Sequence, residues 1–278
     1  MGSGTLYIVA TPLGNLADIT YRAVTVLKEA DLIAAEDTRH SRRLLSHYGI
    51  TTPLVSCHEH NEERMAQTLI PQLEQGKTIA LISDAGTPTI SDPGYRLVRR
   101  AAQCNAAILP IPGCSAVVAG LSVSGLPTDQ FLFAGFLPKK EGRRRSRLEA
   151  LAPAEATLVF YESPHRIVQV LTEMIHVMGD RDGCLAREIT KKHEEYIRGS
   201  LSHILATLTA RDRVRGECAL FLRGSSGTAA PSLQDLETIV RERLATTTKG
   251  TAKLAKEISK EFNCSKKEIY DLILTLKA

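Results

Sequence analysis

Ile79-Ala80-Leu81-Ile82-Ser83-Asp84-Ala85-Gly86-Thr87-Pro88 is the stretch that decides the fold. Four apolar residues in a row, closed by a polar turn, read as a strand buried on both faces, which is the pattern of a parallel sheet. The residues beyond Ser83 cannot continue that strand. Gly86, Pro88, Pro93 and Gly94 fix an irregular backbone course, while Asp84, Thr87, Ser91 and Asp92 supply acceptors and hydroxyls. Such a loop at the carboxyl end of a strand is where open α/β sheets take their ligands. Ser91 and Asp92 also have a plainer reading as the cap of the next helix, with Pro93 in its first turn.

Outward from this stretch the first 125 residues keep one rhythm. Leu6–Ala10, Leu32–Ala35, Pro53–Ser56 and Ala107–Ile111 read as further strands, and Ala23, Val24, Val26 and Leu27, then Met65, Ala66, Leu69, Ile70 and Leu73, repeat at helical spacing between them. Alternating strands and amphipathic helices predict a parallel sheet covered on both sides. Polar or glycine-containing turns follow each strand: Thr11–Asn15, Glu36–His40, His58–Glu62, Asp84–Gly94 and Pro112–Ser115. In a parallel sheet those five ends share one edge, where loop amides and helix N-termini converge. Glu36, Asp37, Arg39 and His40 bring both charge signs to that edge, either to orient a hydroxyl or bind a phosphate, or as a surface ion pair.

The pattern changes after Gly125-Leu126-Pro127. Strands are expected at Phe131–Phe136, Thr157–Tyr161, Gly183–Ile189, Glu195–Ile197 and Cys218–Leu222, with helices near 143–151, 165–178 and 202–210. Their irregular spacing, with a hairpin around Lys191-Lys192-His193, predicts a mixed sheet. Tyr161-Glu162-Ser163-Pro164-His165-Arg166 opens a helix with Ser163 as its cap, and Glu162, His165 and Arg166, like Arg187–Lys191, either face the cleft or stand as ordinary surface groups. Gly224–Ser232 reads as a linker. Beyond it, Leu254, Ala255, Ile258 and Phe262 line one helix, and Ser265 to Glu268 has capping-box spacing ahead of Ile269, Leu272 and Ile273, which suggests a helix-turn-helix. The expected domains are therefore 5–125, 126–224, a linker at 225–232 and a small helical unit at 233–278. Met1–Gly4 reads as a short leader.

Several function classes lose support. No apolar run is long enough for a membrane span, and no secretory signal is evident, so a soluble cytoplasmic protein is expected. The chain of 278 residues has six cysteines without a C-x-x-C pair, which gives no disulfide framework or zinc ribbon, and His58 and His60 lack a third ligand, so no metal is expected. No G-x-x-x-x-G-K-[ST], G-x-G-x-x-G after the first strand or G-x-S-x-G elbow occurs. The net charge of +4 is modest, yet Lys139, Lys140, Arg143, Arg144, Arg145 and Arg147 crowd one segment, and Lys253, Lys256, Lys260, Lys266 and Lys267 lie on the terminal helices. Such cations neutralise nucleic-acid phosphates, or else form solvated helix faces beside Glu257, Glu261 and Glu268.

Leu6 to Thr20, Leu32 to His40, Ser83 to Tyr95 and Phe160 to Arg166, together with Gly135–Pro138 and Arg187–Lys191, resemble the bacterial small-subunit ribosomal RNA 2′-O-methyltransferase family, within the tetrapyrrole methylase superfamily. Ala10 stands where that family commonly has proline. The resemblance implies a two-domain α/β fold that binds S-adenosylmethionine between its domains, and a homodimer. It also implies methyl transfer to a cytidine ribose in the decoding region of 16S rRNA, with the small ribosomal subunit as partner. Carried over by motif, the cofactor residues are Leu13, Gly14, Asp84, Ala85, Gly86, Thr87, Pro88, Ser115, Ala116 and Tyr161. Methylating a weakly acidic hydroxyl calls for a base, for which Asp37, Glu36 and His58 are candidates, with Arg39 orienting the substrate. Arg143, Arg144, Arg145, Arg147, Lys253, Lys266 and Lys267 are the candidate RNA contacts. A tetrapyrrole methyltransferase and a non-catalytic RNA-binding or assembly factor are the rival readings, and the basic segments argue against the first.

Overall fold

A computed structural model describes residues 4–225, 233–246, 250–262 and 265–277. Residues 226–232 of the expected linker, residues 1–3 of the expected leader and Cys264 lie outside the described residues, as does the side chain of Lys260. Gly4 is no leader. Its amide donates to Leu73 O at 2.7 Å, and an added Cβ would collide with Lys77 O.

The first unit alternates β1 (Thr5–Val9), α1 (Tyr21–Glu29), β2 (Leu32–Ala35), α2 (Thr38–His47), β3 (Leu54–Ser56), α3 (Glu62–Glu74), β4 (Ile79–Ile82), α4 (Tyr95–Gln103) and β5 (Ala107–Ile111). The five strands form one parallel sheet in the order β3-β2-β4-β1-β5, with Leu81 of β4 beside both Ile8 and Ala34. Side chains alternate across the sheet. Ile79 and Leu81 pack with α3 and α4 on one face, and Ala80 and Ile82 pack on the other with Leu27 of α1 and Leu45 of α2. That double burial is why β4 needs an unbroken apolar run. Thr20 caps α1 by accepting from Ala23 N, and Asp37 caps α2 by accepting from Arg39 N.

Next comes α5 (Ala116–Ser124), which the sequence assigns to the first unit. It packs instead on the second sheet, where Val117 and Leu121 meet Val159, Ala219 and Phe221. Gly120 makes this approach possible, because a Cβ there would collide with the Phe221 ring. The second sheet comprises β6 (Phe131–Phe136), β7 (Thr157–Glu162), β8 (Asp182–Arg187), β9 (Glu195–Ser200) and β10 (Cys218–Leu222). Between them run α6 (Glu141–Leu151), α7 (Ile167–Met178) and α8 (Leu201–Thr209). Its order is β6-β7-β10-β8-β9, with only the β6/β7 pair parallel, so the expected mixed sheet and the β8–β9 hairpin are present. Three helices cover the face opposite α5.

The expected helix pair at the C-terminal end is a three-helix unit: α9 (Leu233–Thr246), α10 (Thr251–Glu261) and α11 (Lys266–Lys277), packed through Leu236, Val240, Leu254, Ile258, Ile269 and Ile273. Ser265 Oγ accepts from Glu268 N at 3.4 Å, as the capping spacing suggested. Among the described residues no helix is long and apolar enough to cross a membrane.

Candidate active site

The loops at the carboxyl edge of the parallel sheet are bonded to one another. Thr11 and Gly86 exchange both backbone hydrogen bonds at 2.9 Å, and Thr11 Oγ1 donates to Ser83 O at 3.1 Å. Gly86 holds a left-handed φ of +83°, which a side chain resists. Thr87 Oγ1 donates to Cys114 O at 3.1 Å, joining the β4 and β5 loops. Asp84 ties in the β2 loop, with its Oδ1 accepting from Asp37 N at 3.1 Å and its own N donating to Glu36 Oε2 at 3.4 Å.

The far end of the β4 loop is strained, with Thr89 and Ser91 at φ of 74° and 65°. Ser91 and Asp92 do not cap α4. Glu62, buried at the start of α3, does so from outside by accepting from Gly94 N at 3.1 Å and from Arg96 N. Ser91 and Asp92 are thereby left facing a cavity of about 440 Å³.

That cavity lies between the two sheets. Leu13, Glu36, Asp84–Thr87 and Ile90–Asp92 line it from the first unit, and Ser115 and Ala116 at the start of α5 continue the wall. The second unit adds Phe136, Tyr161–Pro164, Ala186, Ile189 and Glu217–Ala219. Five carboxylates line the space: Glu36, Asp84 and Asp92 from the first unit and Glu162 and Glu217 from the second. Burial, and then the Glu36 and Asp84 charges, push Asp92 up to about 6. Glu36 is also raised, chiefly by burial, although nearby His40 favours its ionised form. Burial lifts Tyr161 and Cys218 to about 12, so both stay protonated at neutral pH. Phe133 and Phe136 meet the Tyr161 ring edge-on at 4.9 and 5.7 Å between centroids and fix it in the wall.

A clasp joins the units beside the cavity. Asn15 N donates to Thr190 Oγ1 at 3.2 Å, and Lys191 lies across Gly14, where a Cβ would collide with its stem. Its ammonium donates to Glu188 and to Glu217, each at 3.0 Å. Glu188 and Thr190 hold positive φ in this turn.

Of the sequence candidates, Leu13, Glu36, Asp84, Ala85, Gly86, Thr87, Ser115, Ala116 and Tyr161 line the cavity. Gly14 sits under Lys191, and Pro88 is buried beside the loop without lining it. Asp37 is drawn away from the cavity. It accepts from the Arg39 backbone at 2.8 Å and pairs with its guanidinium at 3.3 Å, contacts that hold its carboxyl below the usual range. Arg39 itself is 86% exposed. His58 stays in its own turn, donating its backbone N to Asn61 Oδ1 at 2.8 Å and meeting His60 edge-on.

The expected cap at Ser163 is also different. α7 begins at Ile167, while Ser163 holds the preceding turn by accepting from His165 N at 3.3 Å. Glu162 lines the cavity, but Arg166 donates to Leu137 O and Pro138 O, each at 3.1 Å, and so braces its own unit. Arg144 requires correction as an RNA contact. It is 2% exposed, pairs with Glu173 and donates to Lys139 O, because positions 144, 148 and 151 form the inward stripe of α6. Arg143, Arg145 and Arg147 are exposed, as are Lys253, Lys266 and Lys267. Sequence reasoning missed Phe136, Ala186 and Glu217–Ala219, which reach the cavity only through tertiary packing, and reached Ile90 and Ile189 only within the segments Asp84–Gly94 and Arg187–Lys191.

Comparison with known proteins agrees with this architecture. The sequence profile of the tetrapyrrole (corrin/porphyrin) methylases matches residues 5–205. A ribosomal RNA small subunit methyltransferase I of Halalkalibacterium halodurans is 52% identical over 229 residues, covering 82% of this chain and 78% of the relative. One from Synechocystis is 43% identical and covers 99% of both chains. Among solved structures, a cobalt precorrin-4 methyltransferase superposes with a TM-score of 0.58 at 17% identity, over 79% of this chain and 94% of that one. A uroporphyrin-III C-methyltransferase of Thermus thermophilus, in complex with S-adenosylhomocysteine, gives 0.56 at 20% identity, over 79% and 97%. At these identities the two structures speak for the fold alone. On sequence and fold together, the chain belongs to the tetrapyrrole methylases and, within them, to the ribosomal RNA small subunit methyltransferase I family.

Proposed function

We propose that the chain uses S-adenosylmethionine to methylate the ribose 2′-hydroxyl of a cytidine in the decoding region of 16S rRNA, with the small ribosomal subunit as substrate. The observation that carries this reading is its high identity, over most of its length, to relatives named for methylating small-subunit rRNA. The cytoplasm, where that substrate is assembled, is the expected location.

The residues around the cavity fit the cofactor. Its volume of about 440 Å³ falls in the range of roughly 300–1,000 Å³ usual for small-molecule sites. Leu13, Ala85, Ile90, Phe136, Ile189 and Ala219 offer apolar walls to an adenosine, and Glu36, Asp84 and Asp92 offer negative charge to a cationic ligand. We assign cofactor binding to Leu13, Asp84–Thr87, Ser115, Ala116 and Tyr161, with Gly14 and Pro88 shaping the loops beside them, and add Asp92 as the charge complement. When bound, S-adenosylmethionine supplies an electrophilic methyl group on a sulfonium. Oxygen, methyl carbon and sulfur must lie in line for the displacement, so the task of the walls is positioning. Glu36 is assigned as the group that takes the hydroxyl proton, since burial makes it more basic than an ordinary carboxylate. Arg39, at the head of α2, orients the substrate, while Asp37 and His58 act structurally. Arg143, Arg145, Arg147, Lys253, Lys266 and Lys267 are assigned to RNA phosphates. A homodimer is part of the proposal, supported by exposed Val118 and Val123 on α5 and by exposed Phe131 and Leu132 on edge strand β6.

The test incubates the protein and methyl-labelled S-adenosylmethionine with unmethylated small subunits, free rRNA and a tetrapyrrole precursor in parallel. Label is expected in one cytidine ribose of the small subunit. Label in the tetrapyrrole alone, or in none of the three, overturns the proposal.

A further inference from the structure

The cations of α2 were not conspicuous in the sequence, because Arg39, His40, Arg42, Arg43 and His47 are interrupted by Ser41, Leu44, Leu45 and Ser46. The fold sorts them. Ser41, Leu44 and Leu45 turn inward, and all five basic side chains are exposed. α2 contains no acidic residue, and among the described residues Arg42 and Arg43 have no ion-pair partner.

Stability gives a reason for His47 in the last turn but none for the basic residues of the first. Arg39 and His40 occupy the first turn, where the helix dipole disfavours positive charge. Arg39 with Arg43 places like charges four residues apart, which also opposes helix formation. Only Asp37 offsets Arg39. Position gives a reason instead. α2 starts one residue after the segment Glu36-Asp37, and Glu36 lines the cavity. From Arg39 to His47 the cations run for about 12 Å away from the cavity, at ~1.5 Å per residue. On the second unit α6 likewise begins a few residues beyond cavity-lining Phe136, with Arg143 and Arg147 exposed, so in each unit a helix with exposed arginines follows a cavity-lining residue.

We propose that the exposed face of α2, carried by Arg39, His40, Arg42, Arg43 and His47, binds the sugar-phosphate backbone of the RNA next to the target nucleotide. This rests on the rRNA methylation reading and adds to it a surface in the first unit that draws the strand to the cavity. The contact is electrostatic, sequence-independent and salt-sensitive.

Arg42→Gln/Arg43→Gln is the test variant, since neither residue touches the cavity. For single-stranded RNA each phosphate contact contributes a slope of about −0.7 in log K against log salt, so losing two weakens binding roughly fourteenfold near 0.15 M salt. The expected result is a KM for unmethylated small subunits raised about tenfold and a salt slope shallower by about 1.4. kcat and the Kd for S-adenosylmethionine stay unchanged, and Arg42→Lys/Arg43→Lys stays near wild type. Lys28→Gln/Lys77→Gln removes two exposed charges at the opposite edge of the same sheet and is expected to change neither KM nor slope. An unaltered KM and slope in the Arg42/Arg43 glutamine variant overturns the inference, as does an equal loss in the Lys28/Lys77 variant. A wild-type protein that labels no rRNA brings down the methylation reading as well; one that labels it normally confines any failure to α2.

Discussion

Replacing Asp92 by asparagine tests the electrostatic core of the proposed site. In the ligand-free protein burial and the Glu36 and Asp84 charges hold the Asp92 carboxyl at about 6. S-adenosylmethionine carries a positive sulfonium, so it binds best when Asp92 is ionised. At pH 7.5 nearly every molecule meets that condition. At pH 5, one unit below the pKa, only about one in eleven does, and the wild-type affinity is expected to fall about tenfold. Asp92→Asn brings the affinity at pH 7.5 close to the wild-type value at pH 5 and flattens the acid limb.

Calorimetry in two buffers of different ionisation enthalpy reads both quantities. Near pH 6 the wild type should release about half a proton on binding, and the variant none from this position. A wild-type Kd that changes less than twofold from pH 7.5 to 5, or a variant with the same midpoint and amplitude, refutes the reasoning. The same carboxyl gives a stability prediction of opposite sense. Its folded pKa stands above the ordinary 3.8, so the stabilisation from its protonated form is complete below that value and is lost as pH rises through about 6. Ligand-free Asp92→Asn is therefore expected to be more stable than wild type above pH 7, on the order of 1 kcal/mol for this partly screened group, and equal to it below about pH 4. Urea denaturation at the two pH values checks this.

Glu36→Gln is expected to lower kcat for small-subunit methylation by about 10²-fold with S-adenosylmethionine affinity changed far less, as single-turnover and binding measurements would separate; an unchanged rate removes Glu36 as the base. Arg144→Ala breaks the buried pair with Glu173 and should cost about 3 kcal/mol in urea denaturation, whereas Arg143→Gln, Arg145→Gln and Arg147→Gln should each stay within about 0.5. Gly120→Ala forces a methyl against the Phe221 ring and should lower stability by roughly 1–3 kcal/mol, with the loss of α5 docking reported by faster amide exchange in Val117 to Leu121.

The sheet was legible from sequence because burial on both faces leaves a local mark, and Ile79–Ile82 carries it in four consecutive letters. The strand-end loops were legible for the same reason: glycine, proline and short polar side chains are required where the chain turns. The bonds between those loops left no such mark. Nothing in Thr11 announces Gly86 as its partner, and nothing in Glu62 announces the amides of α4, because each depends on strands that are adjacent in space and distant in sequence. Much of the second wall was hidden in the same way, since Ala186 and Ala219 look like ordinary strand residues. α5 was misassigned for a different reason. Its residues are apolar nearly all round, which signals burial without naming the sheet that buries it.

Charge was misjudged where it was counted by segment instead of by face. Along α6 four arginines in five positions look like one basic patch, yet the period that brings Leu148 and Leu151 inward brings Arg144 with them, and its charge is neutralised by Glu173. Along α2 the cations are diluted by apolar neighbours, yet the same period puts every one of them on the outside. α9 shows the same period in apolar form, with Leu236, Val240 and Leu244 four apart as its inward stripe. Helical phase therefore has to be fixed before charge is summed: Arg144 then leaves the surface, the α2 residues join it, and the basic surface moves to the edge of the parallel sheet where Glu36 faces the cavity.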